Sequence, residues 1–149
     1  MLTIVNHVPE IRRMSLWLEA AFRELELPAE WIFKFDLSAG EAVANIISYA
    51  FPDDGTHEIS LRMSFNGSLA SLEIEDDGIP FNPLDAPEYV QPASLEEAKL
   101  GGLGIELMRR HMDECNYVRR NGRNVLKMTA IVPRSGDLEP TSAGRLRAT

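Results

Sequence analysis

The stretch HEISLRMSFNGSLASLEIEDDG, residues 57–78, decides the fold. Ile59, Leu61, Met63 and Phe65 alternate with Glu58, Ser60, Arg62 and Ser64, the period of two that a strand with one buried face requires. Asn66-Gly67 then supplies the chemistry of a two-residue hairpin turn, and Leu69 to Glu75 gives the returning strand. Downstream, a second Asn-Gly turn at 121–122 joins Glu114 to Arg120 with Val125 to Val132, so two antiparallel hairpins are expected. Upstream, after a short opening strand, the period changes. Ile11, Met14, Leu18, Ala21, Phe22 and Leu25 recur at three and four behind Pro9, predicting an amphipathic helix over 9–26. Pro28 opens a second helix that runs until Pro52-Asp53-Asp54-Gly55 stops it, and a third runs from Gly101-Gly102-Leu103-Gly104 through Met112. The order strand, helix, helix, hairpin, long loop, helix, hairpin lacks the alternation of a doubly wound sheet. It predicts an α/β two-layer sandwich, with helices packed on one face of a mixed, mostly antiparallel sheet.

The chain has 149 residues, one domain's worth, with 15 Lys plus Arg against 23 Asp plus Glu for a net charge of −8. The domain is read as 1–133, and the Ser, Thr, Gly and Pro-rich residues 134–149 as a disordered tail. Residues 1–100 hold 6 basic and 18 acidic groups, and residues 101–149 hold 9 and 5, which offers no continuous basic footprint for nucleic acid. No apolar run reaches the ~18 residues of a membrane helix, and Leu2 to Val5 lacks the length and basic flank of a secretory signal, so a cytoplasmic chain is expected. Cys115 stands alone, which removes intramolecular disulfides and any cysteine-based zinc cluster.

Three spots could carry chemistry. On helix two, Lys34, Ser38, Glu41, Asn45 and Ser48 form a narrow polar stripe in an otherwise apolar circumference. A solvated outer face is the commoner explanation of such a stripe; the alternative is an edge lining a crevice, where Glu41 and Asn45, one turn apart, offer acceptors for a metal ion and a proton transfer. The second spot is Ile74-Glu75-Asp76-Asp77-Gly78-Ile79-Pro80-Phe81-Asn82-Pro83, directly after a strand. It reads as a turn, or as a site where Asp76 accepts from an amine while Gly78 lets a flat ligand approach the backbone. The third, Gly101 to Gly104, reads as a hinge or as an anion site at a helix N-terminus. Neither a Walker loop nor a dinucleotide fingerprint is present.

Taken in order, Glu-x-x-x-Asn on a helix, Asp-x-Gly after a strand and Gly-x-Gly opening a helix beyond a long loop resemble the GHKL (histidine-kinase-like) ATP-binding superfamily. The size and the wording around the motifs are similar to the bacterial anti-sigma-factor serine/threonine kinases, over residues 8–133. The resemblance implies ATP and Mg²⁺ as cofactors: Asn45 holds the cation against the phosphates, Glu41 receives the proton of a target hydroxyl, and Asp76 accepts from the adenine amine. Gly78 lies beside the base, Gly102, Leu103 and Gly104 bind the phosphates, and residues 82–101 form a lid. It further implies an anti-sigma-factor antagonist as protein substrate, a sigma factor as competing partner, and a homodimer, with no direct contact to nucleic acid or membrane. The chain departs from the pattern at three places. Tyr49 replaces a histidine, Pro80 replaces a glycine, and a threonine common at the start of the last strand is exchanged near Arg123 or Asn124. A catalytic kinase, a non-catalytic ATP-dependent switch and a nucleotide-free interaction domain are the competing readings.

Overall fold

The structure, a computed structural model, describes residues 1–85 and 103–133. The chain runs β1 (Leu2–Val5), α1 (Glu10–Glu24), α2 (Ala29–Tyr49), β2 (Glu58–Phe65), β3 (Leu69–Asp76), a 3₁₀ turn (Pro83–Asp85), α3 (Leu103–His111), β4 (Glu114–Arg120) and β5 (Arg123–Ile131). The expected tail 134–149, most of the lid and both Gly101 and Gly102 lie outside the described residues. Among the described residues no helix is long and apolar enough to cross a membrane.

The five strands form one sheet in the order β1-β2-β3-β5-β4. The two-layer arrangement is as expected, but all four pairings are antiparallel, where a mixed sheet was anticipated. The reason is topological. The connection that carries α3 leaves β4 running in the direction of β3, yet β5 inserts between them and pairs with both.

Register converts the alternation in the sequence into rows on the helix-facing side. Leu2, Leu61, Ile74, Leu126 and Tyr117 form one row, and Met63, Leu72, Met128 and Cys115 the next. Against these rows α1 lays Met14, Leu18 and Phe22, and α2 lays Phe35, Ala39, Ala42, Val43 and Ile46, all buried. Phe22 and Phe35 join the two helices, with ring centroids 5.2 Å apart.

The two hairpin turns differ. At the second, Asn121 and Gly122 take φ 53° and 75° between the paired Arg120 and Arg123, the expected two-residue turn. At the first, the Asn66 N–H donates to the Leu69 carbonyl at 3.1 Å, which centres the turn on Gly67-Ser68, one residue later than the sequence suggested. The Asn66 side chain instead accepts from the N–H groups of Ser68 and Leu69, so asparagine serves as a local acceptor and Gly67 alone takes positive φ.

Candidate active site

The row at the end of the sheet changes character along its length: Ile4, Ile59, Asp76, Asn124, Arg119. Its first half is core and its second half is polar. Asp76 is only 1% exposed, and its Oδ1 accepts from the Gly78 N–H and from Asn124 Nδ2, both at 2.9 Å. Burial raises its pKa above the ordinary carboxylate value; the two hydrogen bonds and the Arg119 charge oppose the shift, while Asp77 adds to it. A buried carboxylate in this state is a strong acceptor held at the end of a strand.

After Asp76 the chain turns back along α2. Ile79 N–H donates to the carbonyl of Ala50, the residue that caps α2, at 2.9 Å. The Phe81 ring meets Tyr49 with centroids 5.6 Å apart, and Asn45 Nδ2 approaches the Pro83 carbonyl at 3.4 Å. Gly78 is required by this path for space rather than for φ. A Cβ there would lie 2.5 Å from the Ala50 oxygen, 2.8 Å from the Ala50 Cβ and 2.9 Å from Asp76 Oδ1.

The polar stripe of α2 is exposed only at its C-terminal end, at Ser48. Ser38 is fully buried and donates to the Lys34 carbonyl at 2.8 Å, while Glu41 and Asn45 are half-buried. The opposite correction applies to Phe33, placed by the wheel in the apolar arc, which stands in solvent. Glu41 packs on the first turn of α3: a Cβ built on Gly104 would overlap its Cγ, Cδ and Oε2. The first-turn N–H groups and positive dipole end of the helix lie there, which favours a carboxylate or another anion.

From Glu41 along the ridge Glu41, Asn45, Tyr49 to the end of α2 at Ala50 the rise is about 14 Å. This ridge and the helix end beyond it bring together Glu41 with Gly104, Asn45 with Pro83, and the Gly78 loop with Ala50. Six of the seven residues singled out in the sequence fall within the described residues, and five of them, Glu41, Asn45, Asp76, Gly78 and Gly104, share the ridge; Leu103 opens α3 beside Gly104. Gly102 is not described. Among the described residues no cluster of three or more His, Cys, Asp or Glu could hold a metal by itself. A hard cation at Asn45 would therefore complete its oxygen shell from ligand phosphates and water, which is how magnesium is commonly bound.

Three residues of the site were not identified from the sequence. Asn124 is one of two positions for the exchanged threonine, and no local motif marks Arg119 or Tyr117. The Asn124 Oδ1 accepts from Phe81 N–H (3.1 Å), Tyr117 O–H (2.6 Å) and Arg119 (3.0 Å), and its Nδ2 donates to Asp76 and to the Ile79 carbonyl. The second Asn-Gly turn already fixes Arg119 opposite Asn124, so that half was available to sequence reasoning. The pairing of Asn124 with Asp76 was not, because 48 residues separate them.

Residues 5–130 match the family described as "Histidine kinase-like ATPase domain". The serine/threonine-protein kinase BtrW of Bordetella bronchiseptica is 35% identical over 114 residues, covering 76% of this chain and 80% of that one. The serine-protein kinase RsbW of Bacillus subtilis is 26% identical over 93 residues, covering 60% of this chain and 58% of that one. The catalytic domain of the histidine kinase ThkA superposes with a TM-score of 0.46 at 13% identity, over 90% of this chain and 97% of that one.

Proposed function

The chain belongs to the histidine kinase-like ATPase family, and we propose that it is a protein serine/threonine kinase that transfers the γ-phosphoryl group of ATP to an anti-sigma-factor antagonist and sequesters a sigma factor. The observation that carries the reading is the Glu41 side chain resting on Gly104 at the first turn of α3, one helical turn from Asn45.

On this reading the purine lies at the Asp76 end of the ridge and the triphosphate at the α3 end, a span matched to an extended nucleoside triphosphate. Both bonds to Asp76 end on Oδ1, so its Oδ2 meets the adenine amine, and Gly78 gives the flat ring room. Gly102, Leu103 and Gly104 offer backbone N–H groups to the phosphates, and Asn45 Oδ1 holds Mg²⁺, which neutralises phosphate charge when bound. A target Ser or Thr hydroxyl attacks the γ-phosphorus, the bond to the β–γ bridging oxygen breaks, ADP leaves and the hydroxyl proton passes to Glu41. The kinase names of the relatives support the transfer of phosphate to protein hydroxyls. The proposal includes a cytoplasmic homodimer that contacts neither nucleic acid nor membrane.

The test is transfer of label from γ-labelled ATP to a candidate antagonist. Glu41→Gln should lower the rate by about a hundredfold or more while ATP still binds. Undiminished transfer by the variant would remove Glu41 as the base. ATP binding by the unaltered chain with no transfer to any antagonist would instead favour a nucleotide-dependent switch.

A further inference from the structure

Asn124 is the hub between the buried carboxylate and the protein surface, and its orientation is not arbitrary. Three donors converge on its Oδ1: a backbone N–H from Phe81, the Tyr117 hydroxyl and the Arg119 guanidinium. Turning the amide over would set an NH₂ against an N–H and a cation that cannot accept, so the Nδ2 is committed to Asp76 Oδ1 and to the Ile79 carbonyl. The Arg119 nitrogen that reaches Asn124 also donates to the Gly78 carbonyl at 2.8 Å. One cation on β4 therefore fixes both the partner of Asp76 and the loop that follows it.

We propose that Arg119 is a positioning residue for recognition of the purine 6-amino group, acting through Asn124 to aim the Asp76 carboxylate. The inference rests on the reading that Asp76 meets the base. Arg119 itself touches no ligand in this scheme; it selects among purines by holding an acceptor, and only an acceptor, where a 6-amino group would arrive. The Arg119 charge also opposes, as the weakest of the influences on this carboxyl, the burial and the Asp77 charge that raise its pKa. Since a single nitrogen makes both bonds, lysine is a fair conservative replacement and methionine a fair deletion.

The experiment is a calorimetric titration of the full chain with ATP and with purine riboside triphosphate, which lacks only the 6-amino group, both with Mg²⁺. The unaltered chain should favour ATP by about tenfold or more, the worth of one hydrogen bond to a charged acceptor. In Arg119→Met the ratio should fall toward one through weaker ATP binding, with purine riboside triphosphate little affected, and Arg119→Lys should restore part of the preference. Equal weakening of both nucleotides, or a wild-type ratio in Arg119→Met, would overturn the inference and leave the ATP site standing. Should Arg119→Met not fold, weakening of both nucleotides to the same degree in Arg119→Lys overturns it equally. An unaltered chain that binds neither nucleotide, or does not distinguish them, would overturn the base-pocket reading itself.

Discussion

Replacing Gly78 with alanine is the most direct probe of how the base pocket is built, because φ at this position is not positive and the effect is one of space alone. The new Cβ would stand 2.5 Å from the Ala50 carbonyl oxygen, where ordinary contact begins near 3.4 Å, so the loop must retreat from α2 by about 0.9 Å. The Ile79 N–H bond to the same oxygen, 2.9 Å long, would stretch beyond hydrogen-bonding range. Overpacking costs about 1–3 kcal/mol and the lost bond about 1 kcal/mol; the lower entropy of an unfolded alanine returns roughly half a kcal/mol. Gly78→Ala should therefore lose about 1.5–3.5 kcal/mol of stability, a fall of roughly 3–14 °C in melting temperature for a domain of this size. Urea and thermal unfolding measure the first part. Titration with ATP measures the second, and affinity should drop by about tenfold or more because Asp76 moves with the loop. A melting temperature within a degree of the unaltered chain, together with unchanged ATP affinity, would refute the steric account.

Gly104→Ala presents the contrasting case, since the atoms its Cβ meets belong to the flexible Glu41 side chain: stability should change by less than about 1 kcal/mol while phosphate transfer falls by about tenfold or more, measured by unfolding and by label transfer. For Asp76→Asn the sign follows from the raised pKa. The folded carboxyl holds its proton more tightly than the unfolded one, so above its folded pKa the charged group costs stability, and that cost is relieved as pH falls through the raised value toward the ordinary one. The variant should thus melt at or above the unaltered chain at neutral pH, with the gap closing on acidification, and it should lose its preference for ATP over inosine triphosphate; a gap that widens on acidification contradicts the burial argument. Phe22→Ala, which removes the ring packed on Phe35 at the join of α1 and α2, should cost about 3–5 kcal/mol in urea unfolding.

The legible parts of the sequence were those carried by short-range periodicity. Ile59 to Phe65 specified a strand, the spacing from Ile11 to Leu25 a helix, and Asn121-Gly122 a turn, because each depends on residues within a few positions of one another. Where a local signal had two uses it misled: Asn66 could sit in a turn or cap it with its side chain, and the structure chose the second. The wheel of α2 was ambiguous for a similar reason. Periodicity separates polar from apolar positions, but burial depends on what packs there, so Ser38 is buried under its neighbours while Phe33 is exposed.

The sequence by itself determined the two-layer class and put Glu41, Asn45, Asp76, Gly78 and Gly104 on a helix, at a strand end and at a helix start, because those are properties of local chain chemistry. Long-range packing alone sets β5 between β3 and β4, and with it places Asn124 opposite Asp76 and links it to Arg119. That pairing closes a long loop between residues whose identities say nothing about each other, and its stability comes from the sheet as a whole rather than from any local preference.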